Sequence, residues 1–179
     1  MKNKLKQTIL YIANKSKEDP AFGLTKLNKI LFTADFYYFG FTGKPITGAQ
    51  YIHLDWGPAP REMAIVLDEL VSEGKAEIVE NDFFGKKQKR LIPKIECDLS
   101  EFSEGEIKFI DHIIKTLSDW NGSDLSLWTH SLTPWLITSD KEEIPYYSIF
   151  ALEDLPIEKD GMTWAKKELE AIMRHHEVA

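Results

Sequence analysis

The span that most narrows what this chain can fold into runs from Thr25 to Pro60, where one long helical stripe is followed by two strong turn signals. Leu27, Ile30, Leu31, Ala34 and Tyr38 recur at helical spacing and put one broad apolar face toward a core. Thr25 is the predicted N-cap and Gly40 the predicted end. Thr42-Gly43-Lys44-Pro45 then makes a turn, Gln50 to Asp55 is expected to hold a short strand, and Trp56-Gly57-Pro58-Ala59-Pro60 breaks regular structure again.

Further elements follow on either side. A first helix is predicted over Lys4 to Lys15, from Leu5, Ile9, Ile12 and Ala13. Pro60 suits the first turn of a third helix, with Met63, Val66, Leu67, Leu70 and Val71 on one face and Gly74 as its stop. Ala76–Glu80 and Gln88–Pro93 alternate like the strands of a hairpin around turn residues 81–86. Ser103-Glu104-Gly105-Glu106 is a capping box opening a fourth helix, with Ile107, Ile110, Ile114 and Leu117 inward and an end at Asn121-Gly122. Asp124–Ser131 is expected to be a short helix halted before Pro134. Residues 138–161 look irregular apart from a helical turn near Tyr146–Leu152, and Thr163 caps a predicted last helix. The predicted fold is mainly α with a small β-hairpin (α+β): a single domain over 1–179 with a winged-helix-like core at about 5–135 and a helical extension at about 140–179.

Charge is distributed unevenly. Residues 1–97 hold 15 basic and 12 acidic side chains, residues 98–179 hold 7 and 17, and the whole carries −7. That acidity argues against coating nucleic acid non-specifically, which needs a positive surface to displace counterions. A single cysteine, Cys97, rules out an internal disulfide and a zinc site of paired cysteines. The basic start, Met1 to Lys6, is followed by no apolar run of signal-peptide or membrane-spanning length, so a cytoplasmic protein is expected.

The inventory of chemistry is sparse. No nucleophile elbow, phosphate-cradling glycine loop or zinc-protease motif is present, and His175 and His176 are adjacent, a poor chelating geometry on a helix. The chain therefore reads as a binder rather than an enzyme, with no metal and no cofactor expected. Lys86, Lys87, Lys89 and Arg90 at the hairpin would suit a DNA-contacting wing, but the helix that should enter the groove exposes Arg61 against Glu62, Asp68, Glu69 and Glu73. The more distinctive zone is aromatic. Tyr37, Tyr38, Phe39 and Phe41 cannot all point inward from one helix, and Trp56 stands beside a rigid turn, an arrangement suited to contacting a protein. Trp56 and Trp135 could equally be core residues.

These residues also carry a resemblance. Lys26-Leu27-Asn28-Lys29-Ile30-Leu31-Phe32, Tyr37-Tyr38, Thr42-Gly43-Lys44-Pro45-Ile46 and Trp56-Gly57-Pro58 resemble the Panacea domain, the SocA-like antitoxin domain, over about residues 5–93. His130 with Leu132-Thr133-Pro134-Trp135 extends the likeness more weakly. His53-Leu54-Asp55 and Ala59 depart from the family pattern beside the Gly-Pro turn, which bears on partner choice more than on fold. The resemblance implies a bacterial or phage-borne antitoxin that binds a cognate toxin protein and in some members delivers it to a protease. The partner surface expected from it joins Tyr37, Phe41, Trp56, Gly57, Pro58 and Arg61, with His130 and Trp135. An acidic C-terminal half would steer a basic partner.

Overall fold

The computed structural model describes residues 2–151, so the predicted helix from Thr163 lies outside the described residues. Helices α1 (Lys2–Lys15) and α2 (Leu24–Thr42) are followed by short strands β1 (Tyr51–Ile52) and β2 (Ala59–Pro60), helix α3 (Met63–Ser72) and the hairpin β3 (Ala76–Phe83) and β4 (Lys86–Pro93). Helices α4 (Glu104–Thr116), α5 (Gly122–His130) and α6 (Thr133–Leu136), strand β5 (Glu143–Ile144) and a 3-10 turn at Tyr146–Phe150 complete the described chain. This is the mostly helical α+β fold that the periodicities predict.

Helix α2 is the axis. Its predicted stripe, Leu27, Ile30, Leu31 and Ala34, packs with Leu5, Ile9 and Ile12 of α1, Val66 and Leu70 of α3 and Ile110 of α4. Its other side carries Phe32 and Phe36 into a second cluster with Tyr51 and Ile144, where the rings meet at tilted and edge-on angles. A helix apolar on both sides is buried by its neighbours all round. Three ionisable groups, Lys26, Lys29 and Asp35, go into the interior with it.

Several boundaries differ from the sequence expectation for local reasons. Helix α2 starts after Gly23 rather than Thr25, and no side chain caps it. Gly23 is needed for space: a Cβ there would lie 2.7 Å from Cγ of Gln88 on the hairpin. Gly40 stays helical, and the stop is Gly43, at φ 73°, whose N–H donates to Phe39 O at 2.8 Å. Pro60 lies in β2 opposite Tyr51, not in α3. Because β2 is an edge strand of the order β2-β1-β5, the missing proline N–H breaks no ladder. The hairpin is longer than predicted and turns on Phe84-Gly85 alone, while Val71 is exposed on α3. The Ser103–Glu106 capping box forms as predicted, but α4 ends at Thr116, and Asn121 caps α5 by accepting from Ser123 N and Asp124 N. Glu69 and Glu73, predicted to face solvent, ion-pair with Lys6 of α1 at 2.6 and 3.1 Å.

Asp35 organises the second cluster. It is fully buried and accepts from Thr47 N at 2.7 Å, from the Thr47 hydroxyl, and from Tyr51 OH at 2.8 Å. Burial pushes its carboxyl above the usual range, and the Thr47 and Tyr51 donors offset only part of that rise. Replacing Asp35 by Ala strands these buried donors, so Asp35→Ala is expected to lose about 3–5 kcal/mol in urea denaturation.

Candidate partner-binding site

The loop between β1 and β2 presents Trp56, and its geometry starts from Lys29. One turn after Lys26 on α2, the Lys29 ammonium donates to the carbonyl oxygen of Trp56, which also accepts from Ser126 Oγ of α5 at 3.1 Å. Gly57 follows at φ 93°, a left-handed conformation open to glycine. A Cβ there would also fall 2.4 Å from Lys29 Nζ and 2.9 Å from Thr129 Oγ1. Gly57 and Pro58 are therefore buried as the hinge of the loop, while the Trp56 side chain is 77% exposed. The core alternative for Trp56 is thereby excluded. A large aromatic held out by a tethered main chain can give contact area to a partner with little ordering entropy.

The two buried lysines are solvated differently. Lys26 places its three protons on Asp19 Oδ2 at 2.7 Å, Ser118 O at 2.8 Å and Trp120 O at 2.7 Å. Lys29 finds only the Trp56 carbonyl among the described residues. Burial so poorly compensated pushes the Lys29 amine down to about 7.

The remaining predicted residues fall into distinct places. His130 and His53 stack on the Trp135 indole with ring centroids 4.1 and 4.0 Å away, and His53 Nδ1 lies 3.1 Å from Thr138 Oγ1. Burial lowers the His130 imidazole, with Lys29 and His53 adding to the effect. Trp135 is half-buried and packs on the second cluster, as does Tyr37, and through Trp135 the His130 ring reaches the same cluster. Arg61 is exposed, and its N–H donates to Gln50 O at 2.7 Å. Phe41 is 78% exposed but sits twelve residues beyond Lys29, about 18 Å along α2, and packs edge-on to Phe109 of α4. Phe41 thus lies near the C-terminal end of α2, against α4.

The hairpin lysines are at the surface, but Arg90 is not part of a wing. It is buried, and its guanidinium donates to the carbonyls of Ser16, Lys17 and Asp19 where α1 ends, over the ring of Phe22. Sequence reasoning missed it because a run of four cations does not show which one finds acceptors inside. It also missed Lys29, whose place in a helix of polar and apolar residues looks solvent-facing. The signal was there in Phe32 and Phe36, which give α2 a second apolar side.

Phe84 is a further residue not singled out beforehand. It stands at φ 50° with Gly85 at φ 74°, so the hairpin closes on two left-handed residues, the type I′ geometry that Asn-Gly fills best. A phenylalanine there costs about 1–2 kcal/mol, and packing returns little of it because the side chain is 91% exposed.

Among the described residues no group of three or more His, Cys, Asp or Glu is placed to hold a metal ion, and no helix is long and apolar enough to cross a membrane. Residues 27–136 match the family model described as antitoxin SocA-like, Panacea domain. No curated protein and no solved structure gives a significant match.

The Lys29 geometry makes a pH prediction. The folded chain gives up this proton near pH 7, whereas the unfolded chain holds it to about 10.5. Between those values the unfolded state binds more protons, so the Lys29 contribution raises stability as pH increases. Melting temperatures of wild type and Lys29→Met measured across that interval, about pH 7 to 10, are expected to differ in slope: the wild type rises more steeply.

Proposed function

The chain belongs to the SocA-like Panacea antitoxin domain family, and on that premise we propose that it neutralises a toxin protein encoded beside it by binding that protein directly. The family implies a cognate toxin as partner. One observation carries the direct-binding reading: Trp56 stands 77% exposed on a main chain tied down by Lys29, Ser126 and Gly57. An exposed tryptophan on a mobile loop would lose entropy on docking, whereas one on an anchored loop is already placed. Gly57 and Pro58 shape the loop, and Arg61 flanks it. The acidic balance of the second half adds long-range attraction for a basic partner.

The test is co-expression with the product of the neighbouring open reading frame. That product alone is expected to stop growth, and this chain to restore it while co-purifying with it. A harmless neighbour, or toxicity unchanged by the chain, overturns the reading. Trp56→Ala is expected to abolish rescue while leaving stability within about 0.5 kcal/mol of wild type in thermal or urea unfolding, as for a surface change. A large loss of stability would show that the indole supports the fold instead.

A further inference from the structure

Two exposed aromatics from distant parts of the chain face one groove. Trp56 and Phe84 both line it, together with the start of α2 and the start of α5, around an open space of about 690 Å³. The hairpin approaches the start of α2 so closely that a Cβ on Gly23 would lie 2.7 Å from Gln88 Cγ and 3.1 Å from Lys89 O, which makes the hairpin a wall of the groove. Phe84 gives no core contact in return for its left-handed backbone, and its ring meets only the edge of Phe83, 4.8 Å away, among the described residues. A strained, solvent-facing aromatic at a turn tip is explained by what it meets outside the fold.

Charge identifies the occupant. Four lysines line the groove against two carboxylates, Glu80 and Asp124. Lys26 and Lys87 are paired, with Asp19 and Glu80, but Lys86 and Lys89 form no ion pair among the described residues. The first turn of α2 has no side-chain cap, so its free N–H groups and the positive end of its dipole add to the same field. This is a basic, aromatic-walled groove on a chain of net charge −7.

We propose that the groove clamps an extended acidic segment of the partner protein, its carboxylates on Lys86, Lys89 and the start of α2, and an apolar side chain between Trp56 and Phe84. The inference rests on the toxin-binding reading and names the chemistry of what that surface takes. Aromatics and lysines together also suit single-stranded nucleic acid. Glu80 and Asp124 in the lining repel a strand that carries a phosphate at every nucleotide, whereas a peptide can set its few carboxylates on Lys86 and Lys89 and its uncharged residues beside these two.

Two variants separate binding from folding. Phe84→Asn installs the residue that a type I′ turn prefers, so its melting temperature should equal or exceed that of wild type. The double variant Lys86→Glu, Lys89→Glu reverses exposed charges without entering the core. Panning random dodecapeptides on the immobilised full chain is expected to enrich sequences with two or more carboxylates and a bulky apolar residue. Their affinity, read by fluorescence anisotropy, should fall at least tenfold in each variant and weaken with added salt. Absence of acidic enrichment, or binding by either variant as tight as that of wild type, overturns the proposal. So does a fluorescent oligothymidylate that binds wild type in place of the peptides and is lost in the charge-reversed variant. If wild type rescues growth from the toxin and both variants rescue equally, the groove assignment fails while the antitoxin reading stands. If wild type does not rescue, the antitoxin reading fails and the panning result alone decides what the groove binds.

Discussion

An ionisable side chain in a closed core must be met by hydrogen-bond partners, and α2 carries three such groups into the interior. Each is answered by a different connection. Lys26 draws in Asp19 from the α1–α2 link and the carbonyls of Ser118 and Trp120 after α4. Lys29 takes the Trp56 carbonyl of the β1–β2 loop. Asp35 gathers Thr47 and Tyr51 on the path out of α2, with Tyr146 OH at 3.4 Å. Apolar contacts alone would bring these segments together without choosing their registers, because burial is non-directional. The buried polar groups choose, since an unpaired one is far costlier than a misplaced methyl.

The same logic recurs away from α2. Arg90 on the hairpin caps the carbonyls that end α1, so the β-hairpin and the first helix are joined by a cation on main-chain oxygens. That bond ties the hairpin to the end of α1, and Gln88 lies close against Gly23 at the start of α2. The groove is thus a by-product of how the hairpin is anchored.

Much of this was legible in the residues. The stripe of α2, the face of α3 with its Gly74 stop, the hairpin and the Ser103 capping box all follow from local patterns whose physics is confined to one element. That at least one of Tyr37, Tyr38, Phe39 and Phe41 faces outward was legible, because four neighbouring aromatics exceed what one helix side can bury, and Phe41 is that residue; for Trp56 the residues left core and surface equally open. What was not legible depends on partners far along the chain. Gly40 and Gly43 look alike to a pattern, and Gly43 alone takes the left-handed geometry. Strand β5 is two residues long and exists because Tyr51 and Ile52 are there to pair with it. Polar letters in α2 look solvated until the second apolar side, Phe32 and Phe36, is counted. The resemblance carried by Lys26, Lys29 and Trp56-Gly57-Pro58 marked residues whose function in the fold becomes clear only when they are seen bonded to one another or to main-chain carbonyls.

Lys29 grips residue 56 by its carbonyl oxygen and leaves the indole untouched. Every amino acid offers that same oxygen, so the anchor is indifferent to which side chain is displayed. Exchange at this position can alter what is recognised while the loop keeps its course, in the way antibody frameworks tolerate turnover in their loops. Such a separation lets a lineage change its target by single steps, without first having to rebuild the scaffold that shows it.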